Sequence, residues 1–413
     1  MKYIIENSMK KNNYQALTAS DDAIEIIKRC FEDEKKGYKD ARNNAKIRLK
    51  EHLIRTADGS YTFNSNIING KSETMHTIHG AVTESMEKFV KPAHLEGKKE
   101  VRILDICSGI GYNAAACIEH LDDEVKIEID MIEISKETLG AALFIEDPIK
   151  SFALIKMVIE NYLFEKGVLS FKFQKEKIPD GININIYIED ARNVVQYLGK
   201  KYDAIFLDPF SPLKSPELYS VEFLLILKNL LRDDGVILTY TSAAPVRAAM
   251  ILADLHVGEG PRFGRKMGGT TASKSSKMIK TQLNAEDERM IALSDAGIPF
   301  RDPEFNGSSK EIIKNRDDER RAVRGNNRIA STVKSPIYLN KDIEDPRLKK
   351  RVLNNLRFTG IADSKSFEAR FIVCPQYEEC ICKCGTCKLN DSKSRINEMK
   401  KRLSAIIEKN YNF

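Results

Sequence analysis

The sequence predicts an α/β fold with a mostly parallel sheet and helices on both faces. Three observations predict it. Between residues 101 and 240, short apolar runs alternate with segments of helical period, the pattern of parallel strands joined by crossover helices. The first of these strands, Val101-Arg102-Ile103-Leu104-Asp105-Ile106, runs into the glycine-bearing turn Cys107-Ser108-Gly109-Ile110-Gly111-Tyr112-Asn113. Later strands end on carboxylates, at Glu133, at Glu189-Asp190 and at Asp208. That edge is where open α/β sheets bind ligands.

The elements follow in order. Ser20-Asp21-Asp22 reads as a helix start, with Ala23, Ile26, Ile27, Cys30 and Phe31 at helical spacing behind it. The stretch 39–55, rich in Lys, Arg and Ala, predicts a second helix. A loop at Thr56-Ala57-Asp58-Gly59-Ser60 then leads to a strand at Tyr61-Thr62-Phe63. Asn69-Gly70 is a two-residue hairpin signal, and a helix is expected over 79–90. The core strands are placed at 101–106, 125–134, 182–188, 204–207 and 236–240, with helices at 112–121, 148–164, 191–198 and 221–231. Beyond Arg262 the character changes. Residues 268–280, rich in Gly, Ser, Thr and Lys, read as loop. Residues 286–335 are charge-dense, which leaves open an insertion, a partner arm or a mixed helical region. A basic helix is expected over 344–355. A terminal helix over 392–411 carries Ile396, Met399, Leu403, Ile406 and Ile407 on one face.

This divides 413 residues into four parts: an N-terminal helical and hairpin extension over 1–95, the sheet core over 96–268, a charged accessory region over 269–370, and a Cys-rich element with the terminal helix over 371–413. No stretch is long and apolar enough to span a bilayer, and the N-terminus has only a three-residue apolar run. No membrane association and a cytoplasmic location are expected. The net charge is +6, but its distribution says more. Residues 261–413 carry about +12 and residues 1–260 about −6. A basic half points to a polyanion partner, and RNA suits a cytoplasmic enzyme.

The loop after the first strand is not the GxGxxG dinucleotide fingerprint and has no Walker lysine, so phosphate cradling is disfavoured. Gly109 and Gly111 let the backbone approach a ligand within the Cys107–Asn113 turn. An acidic residue, Asp105, in the strand before such a loop is the pattern of S-adenosylmethionine (AdoMet) enzymes. Glu133 ends the next strand, placed to accept from both ribose hydroxyls. Asp190, followed by Ala191 at the helix start, is placed to accept from the adenine amine. Strand-end acids are common singly; three in order carry the reading of a Rossmann-like class I AdoMet methyltransferase. Asp208-Pro209-Phe210-Ser211-Pro212 then supplies chemistry. A carboxylate can orient an attacking amine and take its proton, and Phe210 can stack on a base.

Several stretches resemble the methyltransferase domain of the MnmC-like tRNA-modification family. They are Thr56-Ala-Asp58-Gly59-Ser60, Glu73-Thr-Met75-His76, Gly80-Ala81-Val-Thr-Glu84, Asp203-Ala-Ile-Phe-Leu-Asp208-Pro-Phe210-Ser-Pro212, Ser215-Pro216-Glu217-Leu-Tyr219, Thr241-Ser-Ala-Ala-Pro-Val246-Arg247 and Phe263-Gly264-Arg265-Lys266. Together they cover roughly 53–268 in the family's order. The resemblance implies AdoMet-dependent methylation of the amine of 5-aminomethyl-uridine derivatives at the tRNA wobble position, giving the 5-methylaminomethyl form. It makes Asp208 the candidate base, and Glu133 and Asp190 the ribose and adenine contacts. It places Asp58, Glu73, His76 and Glu84 at the front of the site, Asp58 toward the substrate and the other three toward the cofactor, and Arg247, Arg265 and Lys266 near the substrate. The chain departs from the family's Gly-Phe-Gly-Thr-Gly-Leu-Asn loop at Cys107-Ser-Gly-Ile-Gly111-Tyr-Asn113, from its Asp-Gly-Phe-Ala-Pro at Asp208-Pro-Phe-Ser-Pro, and from its Tyr at Met75. No second Gly-rich fingerprint of the flavin-dependent oxidase half follows, so methylation alone is expected.

Five of eight cysteines crowd into Cys374-x5-Cys380-x-Cys382-x-Cys384-x2-Cys387. In a reducing compartment such thiolates suit zinc or an iron–sulfur cluster. Two other functions share parts of this pattern. A spermidine-synthase-type aminopropyltransferase has the same sheet and a strand-end Asp, but neither the basic Cys-bearing tail nor the Thr241-to-Arg247 run. A non-catalytic, metal-bearing RNA-binding protein would not need Asp105, Glu133, Asp190 and Asp208 together.

Overall fold

A computed structural model of the chain describes residues 21–63, 79–173, 177–264, 268–385 and 389–411. The Asn69-Gly70 turn signal lies outside them. The chain begins with α1 (Asp21–Lys35) and α2 (Ala41–Leu49), then the antiparallel pair β1 (Leu53–Arg55) and β2 (Tyr61–Phe63). The second helix is shorter than the expected 39–55, because Leu53–Arg55 pairs with Tyr61–Phe63 rather than continuing the helix. The short helix α3 (Ala81–Ser85) passes into a π-helical turn at Met86–Val90.

The core alternates as β3 (Glu100–Ile106), α4 (Tyr112–His120), β4 (Lys126–Glu133), α5 (Lys136–Gly140), α6 (Phe152–Glu165), β5 (Ile182–Ile188), α7 (Ala191–Tyr197), β6 (Tyr202–Leu207), α8 (Val221–Leu230), β7 (Leu231–Thr239), α9 (Ala244–Leu252), β8 (His256–Glu259) and β9 (Thr270–Ser273). These strands form one seven-stranded sheet in the order β5-β4-β3-β6-β7-β9-β8, parallel except where β9 joins β7 and β8. Period-two alternation splits each strand between two apolar layers. Ile103, Ile129, Met131, Phe206 and Leu238 face the layer covered by α1, α4 and α6. Leu104, Ile106, Ile205, Leu207 and Ile237 face the layer covered by α8, α9 and the C-terminal helices.

The segment 268–280, expected as loop, contains β9. Its small polar residues are what a buried strand requires here. Thr270 and Ser273 are fully buried, with Thr270 Oγ1 donating to Thr241 O at 2.6 Å and Ser273 Oγ to Gly235 O at 2.7 Å. Just ahead of β9, a Cβ on Gly269 would sit 2.2 Å from Thr239 O, so the composition that reads as loop records close backbone packing.

Beyond the sheet come α10 (Ala285–Leu293), α11 (Ser309–Val323), α12 (Pro346–Arg357), α13 (Phe367–Val373) and α14 (Ser392–Tyr411). The charge-dense 286–335 is a mixed helical region packed on the sheet. Ile291, Leu293, Phe300, Ile312 and Ile329 share one core with Ile205 and Ile237. Its charges are used internally. Asp295, fully buried, accepts from Arg320, Arg324 and the Ser331 N–H. Helix α14 buries Ile396, Met399, Leu403, Ile406 and Ile407, as its pattern predicts. Among the described residues no helix is long and apolar enough to cross a membrane.

α14 is locked to α10 by Arg395, whose guanidinium meets Glu288 at 2.6 Å with both side chains almost fully buried. Removing one partner of a buried pair strands the other charge. Glu288→Ala is therefore expected to lower unfolding free energy by about 3–5 kcal/mol, read from denaturant melts of the full chain.

Candidate active site

The chain winds outward from β3 through β4 to β5, then returns to lay β6 on the other side of β3. The crevice between the C-terminal ends of β3 and β6 is the switch point where such sheets bind ligands. Register sets its contents. Ile106 pairs with both Ile132 and Leu207, so the next residues, Cys107, Glu133 and Asp208, emerge at one height. Backbone bonds continue the alignment: the Cys107 and Ser108 N–H groups donate to Ile132 O, and the Asp208 N–H donates to Ile106 O.

The loop between β3 and α4 turns through left-handed backbone. Gly111 has φ +92°, and a Cβ there would lie 2.6 Å from Ile155 Cγ2. Cys107 has φ +63°, a conformation that costs an L-residue about 1–2 kcal/mol. Gly109 donates its N–H to Glu133 Oε2 at 3.0 Å, and Ser135 donates its own to Oε1 at 3.0 Å. A carboxylate has about four lone-pair sites, so Glu133 keeps acceptor capacity beyond its backbone donors. Asn113 Nδ2 bridges two acids, donating to Asp105 Oδ1 at 3.1 Å and Asp208 Oδ2 at 3.4 Å. Asp105 Oδ2 and Asn113 Oδ1 are buried without partners, two acceptors that a ligand donor would satisfy.

Negative charge is crowded here. Burial pushes Asp105 up to about 7, eased by its hydrogen bond from Asn113. Burial pushes Glu133 up to about 7 against three backbone N–H donors. Asp208 keeps part of its surface open, yet the protein packed around its carboxyl pushes it up to about 8. The Lys88 ammonium pulls it down, and Asp105 pushes it up. Burial first, then the surrounding carboxylates, drive the Cys107 thiol well above its usual range, so it stays neutral. Three acids with their charge suppressed suit a ligand that brings positive charge and hydroxyl or amine donors. AdoMet, a sulfonium with a ribose diol and an amino group, meets that description.

Lys88 was not among the residues singled out from the sequence. It is buried on the π-helical turn and pairs with Glu84 Oε2 at 2.6 Å. The only sequence signal was the Glu84–Lys88 spacing of four on an expected helix. Tyr112 fastens the N-terminal strand pair to the site. Its hydroxyl accepts from the Tyr61 N–H and donates to Tyr61 O.

The remaining expected residues fall in different places. Phe210 follows Asp208 on the loop, with the Lys214 ammonium 5.9 Å from its ring centre. Asp190 caps α7, just before Ala191, and its carboxylate is paired with Arg192 at 2.8 Å. Arg192 in turn bonds Asp302. Asp58, expected at the substrate, instead has both oxygens occupied within the fold. Oδ1 accepts from Thr56 and Ser60, and Oδ2 accepts from the N–H and hydroxyl of Thr83. Its carboxyl, packed over Gly80, staples the β1–β2 loop to α3. Arg247, also expected at the substrate, is withdrawn from the surface. It is 1% exposed and donates to Asp287, Thr270 and Gly269 O, tying α9 to β9 and α10. Glu73, His76, Arg265, Lys266 and Cys387 lie outside the described residues. His79 and Phe263, at the edges of two of those gaps, meet edge-on with centroids 5.8 Å apart. Cys374, Cys380, Cys382 and Cys384 come together beyond α13.

Comparison with known proteins bears on the family and the fold. Residues 150–275 match the family described as S-adenosyl-L-methionine-dependent methyltransferase. An uncharacterized protein of Methanocaldococcus jannaschii is 35% identical over 305 residues, 73% of this chain and 82% of that protein. The tRNA 5-methylaminomethyl-2-thiouridine biosynthesis bifunctional protein MnmC of Leptospira borgpetersenii is 26% identical over 227 residues, and the match spans 33% of its length. The crystal structure of MnmC2 from Aquifex aeolicus superposes with a TM-score of 0.51 at 28% identity, covering 71% of this chain and 97% of that one.

The three raised acids make the fold's stability pH-dependent. Each has a folded-state pKa above its ordinary value of 3.8–4.5. Their contribution is fully present below those ordinary values and is lost as pH rises through about 7–8. Asp208→Asn cannot ionise there. In calorimetric melts of ligand-free protein, the variant should gain on the wild type between pH 6 and pH 9. A difference that stays constant across that range would refute the shift.

Proposed function

Since this chain belongs to the MnmC-like family of S-adenosyl-L-methionine-dependent methyltransferases, we propose that it methylates the primary amine of a 5-aminomethyl-uridine derivative at the wobble position of tRNA. The observation that carries the reading is Asp208. It stands at the switch-point crevice, bonded to Asn113, desolvated, and opposed by a buried lysine. The named tRNA-modifying relatives and the basic C-terminal half support the acceptor class.

Glu133, with acceptor capacity left beyond its backbone donors, would hold the ribose diol. Asp105 Oδ2 and Asn113 Oδ1 would accept from the amino group of the cofactor's methionine end. Asp190 and Ala191 would border the adenine. Bound AdoMet supplies an electrophilic methyl carried on a sulfonium cation. The chain's own residues orient the amine and move its proton. Asp208 would accept a proton from the nitrogen as the N–C bond forms and the methyl's bond to sulfur breaks, its electron pair staying on sulfur. A cation beside it pulls its pKa down, so the carboxylate form prevails when the site is filled. Lys88, held by Glu84, works in the same direction. Phe210 offers a face for the uracil ring.

The polyanion would reach the crevice along α12. Arg347, Lys349, Lys350, Arg351 and Arg357 are exposed on it and make no ion pair with a carboxylate among the described residues. Helix α12 packs on the turn Thr332–Tyr338. That turn carries Lys334 and Ile337 into a cavity of about 200 Å³ that is also lined by Ser242 and Ala244, just past the end of β7.

Two experiments test this reading. Asp208→Asn should bind AdoMet within a few-fold of wild type, while kcat on tRNA falls about 10²–10⁴-fold. Methyl-labelled AdoMet should pass its label to tRNA, with mass spectrometry of wobble nucleosides naming the product; no label on tRNA, with putrescine and decarboxylated AdoMet instead converted to spermidine and methylthioadenosine, would overturn the reading. Reversing Lys349 and Lys350 to Glu should raise KM for tRNA several-fold and weaken its salt dependence. A KM unchanged at every salt concentration would remove α12 from the path.

A further inference from the structure

Four cysteines that the crevice does not use converge at the C-terminal end of α13. Cys374 closes that helix and is fully buried, and Cys380, Cys382 and Cys384 follow in the next loop. All four sulfurs lie within 4.8 Å of one another. Cys380 Sγ is 3.8 Å from Cys374 and Cys384 and 4.0 Å from Cys382, and Cys374 is 4.0 Å from Cys384. A tetrahedron of sulfurs around zinc, with bonds of about 2.3 Å, has edges of about 3.8 Å.

We propose that Cys374, Cys380, Cys382 and Cys384 form a tetrathiolate site for one zinc ion, which fastens the C-terminal segment to the body of the protein. The proposal is independent of the methylation reading. Disulfides would pair the sulfurs two by two at about 2.0 Å, whereas here Cys380 is nearly equidistant from three others. An iron–sulfur cluster distributes its thiolates over several irons and holds them farther apart. The single-ion spacing therefore decides between the two kinds of centre that the sequence left open. It also completes the ligand set without Cys387.

The surroundings fit a centre of net charge −2. Arg402 Nη1 donates to Cys384 Sγ at 3.6 Å. The backbone N–H groups of Cys382 and Gly385 donate to Cys380 Sγ. Lys383 and Gly385, at φ +66° and +75°, bend the loop around the sulfurs. Such outer donors orient and stabilise thiolate ligands. Arg402 extends the attachment. It donates to Phe371 O, stacks 4.7 Å over the Phe371 ring and bonds Glu398. The site thus joins α13, the cysteine loop and α14. Among residues 374–385 only Cys374, Pro375 and Cys382 are buried, too little to order a loop without a staple.

The test uses the full chain, purified without chelator. Elemental analysis should find about one zinc per chain, retained in Cys387→Ala and Cys30→Ala and lost in the Cys380→Ala/Cys382→Ala double variant. Replacing the metal of the wild type with cobalt should give the visible bands of a tetrahedral tetrathiolate, a readout that does not depend on the variant folding. Removing zinc should lower the melting temperature, and adding it back should restore it. Iron with acid-labile sulfide would overturn the proposal. So would wild-type protein that takes up no more zinc or cobalt than the double variant, or a cobalt spectrum lacking thiolate coordination.

Discussion

Everything at the crevice depends on the register of β3 with its two parallel neighbours. Ile106 faces Ile132 on one side and Leu207 on the other, so three strands stop at the same height. The groups that follow them, a loop and two carboxylates, are delivered to one line. A one-residue slip of either neighbour would turn its carboxylate to the opposite face of the sheet. The apolar alternation on two buried faces prevents that slip, because it would exchange residues between the two core layers.

That alignment has an electrostatic consequence. Asp105, Glu133 and Asp208 are held together in a space that disfavours their charges. Asn113 mediates between two of them, and backbone N–H groups hold the third. The fold tolerates this because the cofactor of its family is a cation. The strain of Cys107 at positive φ sits at the same point. Functional sites commonly concentrate both kinds of cost.

The C-terminal half is more than an appendage of this sheet. α10 and α14 share its core and are locked by Arg395 and Glu288. Arg247, Arg192 and Asp295 bind segments distant in sequence through buried charge. Some of the chain's charge is therefore used inside the protein, while α12 keeps its cations on the surface. That division separates structural basic residues from those free to meet a polyanion.

By itself, the sequence determined the parallel sheet, the strand ends and the acids on them. These are local matters of period two, helical spacing and turn chemistry within a few residues. It also marked the cysteines, whose clustering is visible in spacing alone. Only the tertiary structure decided which charges are paired within the fold. Asp58 and Arg247 match the family's motifs, yet their partners Thr83 and Asp287 lie 25 and 40 residues away, and those partners turn them into staples. Lys88 acquires its role from Asp208, more than a hundred residues on. β9 was hidden because small polar residues signal a loop locally, while in place they answer a close backbone approach that no local pattern records. Burial and long-range pairing decide the state and use of a charged group, and both arise only when distant segments meet.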